Sequence, residues 1–195
     1  MVKHSRSLAI GLLCACGPLL IQGCAGVVLA GAATGAMVAT DPRTAGTMVD
    51  DQMIEFKIRE AFYQDSELSK QSHLSVTSYN NIVLLTGETI NEPLRQRIEA
   101  LARNAPKVRQ VHNEIIIAAP SSMLARSNDS LITAKVRSRL AATREVKSRD
   151  IKVVTENGTV FLMGLVTREQ ADQATKVVRQ TAGVQRVVRL FEYLG

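Results

Sequence analysis

Tryptophan is absent, aromatic residues make up 4% of the chain, and only three cysteines and three histidines occur among its 195 residues. Each shortage closes off a class of function. Cys14 and Cys16 lie in an apolar N-terminal stretch, so Cys24 stands alone beyond it. With a single cysteine left, no internal disulfide can form, and stability has to come from packing even in an oxidising compartment. Nucleic-acid surfaces interleave basic residues with aromatics on a sheet or groove, and that pattern is missing, so no nucleic-acid partner is expected. His73 and His112 are far apart, with no cysteine or carboxylate at ligand spacing in the sequence, so no metal site is expected. Gly31 to Gly35 lacks the Lys-Ser/Thr ending of a phosphate loop, and no Gly-x-Ser-x-Gly elbow is present. The carboxylates fall beside Lys and Arg on predicted helix surfaces, a solvated pattern. No catalytic residue and no cofactor is expected.

What is present begins with a leader. Lys3, His4 and Arg6 precede a mostly apolar run from Leu8 to Leu20, and Ile21-Gln22-Gly23-Cys24 closes it. A basic start and a short apolar centre are the parts of a secretory signal, and the run is short for a span, which takes about 20 apolar residues. Its end resembles the bacterial lipobox. That likeness implies cleavage after residue 23 and an acylated Cys24, carrying palmitate among its chains. Ala25 in place of Asp implies sorting to the outer membrane. Residues 24–46, rich in Gly, Ala and Val, read as a tether ended by Asp41-Pro42-Arg43.

The remainder holds an internal repeat. Asp51-Gln52-Met53-Ile54 with Lys57-Ile58-Arg59 matches Asp129-Ser130-Leu131-Ile132 with Lys135-Val136-Arg137. Leu74-Ser75-Val76 and Val83-Leu84-Leu85-Thr86-Gly87 match Ile151-Lys152-Val153 and Val160-Phe161-Leu162-Met163-Gly164. A steady period across several segments marks two copies of one unit. Residues 47–118 form the first, 119–126 a linker with Pro120-Ser121-Ser122, and 127–195 the second. In the second copy, Asn128 or Asp129 caps a helix running to Ala142, with Ile132, Val136 and Leu140 facing the core. Ile151 to Thr155 and Thr159 to Met163 read as strands around Asn157-Gly158, whose residues suit the positive φ of a two-residue hairpin. Gly164 ends the second strand. Thr167 caps a helix to Thr181 with Glu169 in its first turn, Gly183 closes it, and Val184 to Phe191 is the last strand. The first copy repeats this with Asn80-Asn81 as the turn and Asn91 to Asn104 as the second helix, stopped by Pro106. The predicted fold class is α+β: two tandem units, each helix-strand-strand-helix-strand, with a three-stranded mixed sheet and two helices on one face.

This order, with Gly closing the second strand and Gly-Val ahead of the last, resembles the BON domain, and two such units behind a lipobox resemble the dual-BON lipoproteins of the outer membrane. The most specific stretches are Ala39-Thr40-Asp41-Pro42-Arg43, Thr133-Ala134-Lys135-Val136-Arg137-Ser138 and Glu156-Asn157-Gly158 with Phe161-Leu162-Met163-Gly164-Leu165-Val166-Thr167. The resemblance implies a non-enzymatic protein on the periplasmic face of the outer membrane. It further implies binding of anionic phospholipid through the second unit, enrichment at the division site and support of envelope integrity. It also makes the first helix of the second unit the lipid-binding element, with Leu131 standing where relatives carry tryptophan.

Charge is divided unevenly between the copies. Residues 47–118 carry 8 Lys/Arg against 10 Asp/Glu, whereas residues 121–195 carry 13 against 7. Such asymmetry between duplicated halves suggests divided labour, the second copy meeting an anion and the first keeping the fold or meeting a protein. On the helix from Asn128 to Ala142, Leu131 lies about 140° from the centre of the core stripe at 3.6 residues per turn. It shares the outward face with Ala134, Lys135 and Ser138, and Arg139 flanks it. A large apolar residue among small ones and basic ones fits shallow membrane insertion; a single exposed leucine among solvated charges fits equally well. The matching face of the first copy carries Met53, Phe56, Lys57 and Glu60, and its acid argues against anionic lipid. The candidate site is therefore Cys24 for lipidation and Leu131, Ala134, Lys135, Ser138 and Arg139 for an anionic phospholipid membrane. A protein-interaction adaptor for outer-membrane assembly proteins is the alternative.

Overall fold

A computed structural model describes residues 41–119 and 122–194. The leader, Cys24, most of the tether and Pro120-Ser121 lie outside the described residues.

In the first copy, Thr44 caps helix α1 (Ala45–Gln64) by accepting from the Thr47 amide. Ile54, Ile58 and Phe62, at four-residue spacing, form its buried face. Asp65 ends α1 and caps α2 (Ser66–Gln71) through the Glu67 and Leu68 amides. Strands β1 (Ser72–Tyr79) and β2 (Ile82–Thr89) then pair antiparallel, joined by Asn80 and Asn81 at φ 53 and 64. Both turn residues sit in the left-handed region that a tight hairpin requires and that asparagine tolerates. Helix α3 (Glu92–Arg103), capped by Asn91, crosses back so that β3 (Gln110–Asn113) and β4 (Ile116–Ile117) run parallel to β2. The second copy repeats the plan with α4 (Met123–Ala142), a short 3₁₀ turn at Ser148–Asp150, β5 (Ile151–Glu156), β6 (Thr159–Val166), α5 (Arg168–Arg179) and β7 (Arg186–Tyr193). Its hairpin turns at Asn157 and Gly158, φ 47 and 70, and β7 runs parallel to β6. Each sheet is mixed, with its helices on one face, as the pattern predicts.

Several boundaries differ from expectation. Helix α4 begins at Met123, capped by Ser122, so the end of the expected linker is helical. Asp129 caps no helix. It is buried, and its carboxylate accepts from the Asn157 and Gly158 amides. Asp51 does the same for Asn80 and Asn81 and also accepts from Ser78 Oγ and Arg43. Each copy thus holds its hairpin turn with an aspartate from its first helix. Arg43 also pairs with Asp41 and lies over the Tyr79 ring, so the end of the expected tether is docked on the first copy. In α5 the capping box is completed by Gln170, not Glu169. Strand β6 continues past Gly164 to Val166. The last strand of the first copy is interrupted at Glu114 and Ile115, where Ile115 turns into the core. The interruption faces Gly87, whose φ of 122 breaks the β2 pleat. In the second copy the equivalent Gly164 has no positive φ, and β7 is continuous.

Three apolar cores result. Val83 and Leu85 of β2 point to the helices of the first copy, as Val160 and Leu162 of β6 do in the second. The alternate residues of the same strands build a shared core, in which Tyr79, Ile82 and Leu84 pack with Phe161 and Met163. The helix-free faces of the two sheets therefore meet, giving helix, sheet, sheet and helix layers. Neither sheet completes the other. Polar ties rim the seam: Tyr79 Oη donates to the Asp150 carbonyl, Asn80 and Arg109 both donate to Glu192, and Lys152 Nζ donates to Glu55.

Candidate functional site

Ile132, Val136 and Leu140 of α4 are buried in the core of the second copy, which turns the opposite side of the helix to solvent. Leu131, Ala134, Lys135, Ser138 and Arg139 are all exposed, with Leu131 at 61%. The structure thus brings the five candidate residues to one outward surface. Arg139 is less free than the sequence suggests, because its guanidinium donates to the Gln180 carbonyl beyond the end of α5. Lys135 makes no hydrogen bond or ion pair among the described residues. Cys24 lies outside them.

The earlier start of α4 enlarges this face. Leu124 lies two turns before Leu131, seven residues away and so close to the same line along the helix, and it is 81% exposed. Met123 is exposed beside it. Neither stands out in the sequence, where residues 119–126 read as a linker. The signal available was Ser122 as a cap residue followed by the Leu124–Leu131 spacing. Arg144, Glu145 and Lys147 are exposed in the turn after α4, which adds one net positive charge beyond its C-terminus. Among the described residues no helix is long and apolar enough to cross a membrane.

The outward face of α1 is different. Val49, Met53, Phe56 and Tyr63 are exposed along it, with Lys57 and Glu60 also exposed. This stripe is more apolar than that of α4 and carries acid as well as base.

A second cluster lies at the seam. His73 stands opposite Glu88 in the β1–β2 register, with Nδ1 3.3 Å from Glu88 Oε2. Glu156, at the end of β5, approaches from the other copy and accepts from Thr86 Oγ1. Burial pushes the Glu156 carboxyl up to about 7, helped by the neighbouring Glu88 and Asp129 charges. The expectation that no carboxylate stands near a histidine is corrected here: strand pairing and sheet packing bring together residues 15 and 83 positions apart in the numbering. His112 is partly buried in β3, and burial holds its pKa below the usual value.

Against known proteins, the BON domain model matches residues 50–119 and again 128–195. The chain is 39% identical over 176 residues to the outer membrane lipoprotein DolP of Haemophilus influenzae, covering 90% of this chain and 91% of that one. It is 37% identical over 154 residues to the 21 kDa hemolysin of Actinobacillus pleuropneumoniae, covering 79% of each. It is 27% identical over 145 residues to the osmotically-inducible protein Y of Escherichia coli, covering 73% of this chain and 72% of that one.

Proposed function

The chain belongs to the BON-domain family as a DolP-type protein with two such domains, and on that premise we propose that it is an outer-membrane lipoprotein that binds anionic phospholipid through α4. It acts as a binding module, not an enzyme, anchored by Cys24 on the periplasmic face. Recognition of anionic lipid accounts for enrichment at the division site and support of envelope integrity. The observation that carries this reading is the outward face of α4, where Leu124 and Leu131 stand exposed beside Lys135 in the half of the chain with excess positive charge.

The energetics favour a weak, tethered contact. Each basic residue near an anionic surface contributes on the order of 1 kcal/mol, and a leucine adds about 1.5 to 3 kcal/mol if fully buried. Leucine lacks the interfacial preference of tryptophan, so the depth of insertion is less sharply set than in relatives with tryptophan. A lipid on Cys24 makes the second attachment effectively intramolecular, which compensates for modest intrinsic affinity. Co-sedimentation of residues 41–195 with anionic and neutral liposomes tests the reading. Binding to anionic vesicles should fall as salt rises, and Lys135→Glu should weaken it more than Lys57→Glu. Equal effects of the two reversals, or equal binding to neutral vesicles, would count against α4.

The second reading, an adaptor for outer-membrane assembly proteins, draws on the α1 stripe of Val49, Met53, Phe56 and Tyr63. Its mixed charge suits a protein surface better than an anionic bilayer. Phe56→Glu should then disturb partner capture while leaving liposome binding intact.

A further inference from the structure

The His73–Glu88–Glu156 cluster contains none of the candidate lipid-contact residues, and two of its polar atoms are buried without a hydrogen-bond partner among the described residues. Glu88 is 1% exposed. Its Oε1 accepts from Asn157 Nδ2 at 2.7 Å, while its Oε2 is buried and has no hydrogen-bond partner among the described residues. His73 Nδ1 is likewise buried and unpartnered. The two atoms are 3.3 Å apart and form no hydrogen bond with each other. A buried polar atom without a partner costs about 1–3 kcal/mol, which makes two of them side by side a departure that a ligand would remove. Glu156 completes the set: one ligand atom from each of the three residues lies within 4.8 Å of the other two.

We propose that His73, Glu88 and Glu156 form a site for a divalent transition cation of zinc type that clamps the two BON domains together. Bonds of about 2.0–2.2 Å at tetrahedral angles place ligand atoms roughly 3.3 Å from one another, which is the His73–Glu88 separation. One imidazole and two carboxylates suit zinc or a neighbouring metal. Calcium takes six to eight oxygens and magnesium an octahedral, mostly aqueous shell. The surroundings supply the rest of a built site. Asn157 and Thr86 hold the carboxylates through their other contacts, as outer partners of metal ligands do. Gly87 lets the His73 backbone approach closely, since a Cβ there would stand 2.0 Å from the His73 carbonyl oxygen. A cleft of ≈ 320 Å³ bordered by His73, Glu156, Arg59, Arg126 and Thr133 reaches two of the three ligand residues. The dication would offset the repulsion among Glu88, Glu156 and Asp129. Its ligands come from β1 and β2 of the first domain and β5 of the second, so occupancy tightens the seam beside α4.

The test uses the tag-free chain, purified in detergent, stripped with a chelator and titrated with zinc chloride against a chromophoric competitor. One zinc per chain should bind at micromolar or lower concentration, and Tm should rise by roughly 5–10 °C at a hundredfold excess over Kd. Glu156→Gln removes a ligand while relieving repulsion, so the variant remains folded; it should bind zinc at least tenfold more weakly. His73→Asn should do the same, and His112→Gln should bind as wild type does. Absence of stoichiometric zinc, or undiminished binding by folded Glu156→Gln, would overturn the proposal.

Discussion

Replacing Asp129 by alanine tests how each domain holds its hairpin. The carboxylate accepts from the Asn157 and Gly158 amides, both at 2.9 Å, and it is buried. Hydrogen bonds to an ionised group contribute about 1.5–3 kcal/mol each. Asn157 is exposed, so water can replace the carboxylate at its amide; Gly158 is buried, so its amide is left without a partner. The balance is a loss of about 2–4 kcal/mol. Asp129 also repels Glu156, and that relief would mask part of the loss at neutral pH. The comparison therefore belongs at about pH 5.5, where Glu156 is mostly protonated. Asp51 offers an internal standard. It accepts from Ser78 and Arg43 as well as from two turn amides, so Asp51→Ala should cost more, about 3–5 kcal/mol as for other broken buried networks. Urea unfolding followed by circular dichroism reads both. A loss below about 1 kcal/mol at Asp129, or a larger loss there than at Asp51, would refute the assignment of these residues as turn clamps.

Glu156 has a pKa raised from 4.5 to about 7, so the folded chain keeps a proton that the unfolded chain releases, and stability should fall as pH rises across that window. Glu156→Gln in chelated buffer should match wild type below about pH 4.5 and exceed it above pH 7; a shift of this size is worth ~3 kcal/mol at full burial and about 1–2 after screening of a partly exposed carboxyl. Identical stability profiles for the two proteins would contradict the burial and repulsion assigned to Glu156. Phe161 is 2% exposed within the shared core, so Phe161→Ala should cost about 3–5 kcal/mol and split a single calorimetric transition into two. One unchanged transition would show that the sheet faces melt independently of this contact. Gly87→Ala combines a φ of 122 with a Cβ 2.0 Å from a carbonyl oxygen, and should lower the urea midpoint by an amount worth at least about 2 kcal/mol.

The repeat, the hairpin turns and the helix stripes were legible because each rests on local chemistry. Asn-Asn and Asn-Gly specify tight turns, and Ile132, Val136 and Leu140 specify one helix face. Outward placement of Leu131 and Lys135 follows from that stripe alone. Other features depend on distant partners. Asp129 reads as a helix cap because aspartate suits that position, but its role is set by a turn 28 residues away. The start of α4 is ambiguous because Ser122, Ser127, Asn128 and Asp129 are all able to cap. The shared core had a signal in the unbroken apolar run Val160-Phe161-Leu162-Met163, which marks a strand buried on both faces. The His73 cluster had none, since it needs both the β1–β2 register and the packing of one sheet on the other.

Contact between α4 and an anionic membrane is the central claim, and Leu131→Glu tests it most directly. The residue is 61% exposed and points away from the core, so the substitution should leave Tm within about 2 °C of wild type, as expected for an exposed site. Co-sedimentation of residues 41–195 carrying this change with anionic liposomes should show binding reduced to the level seen with neutral vesicles. Binding equal to wild type, or unfolding of the second domain, would contradict the account.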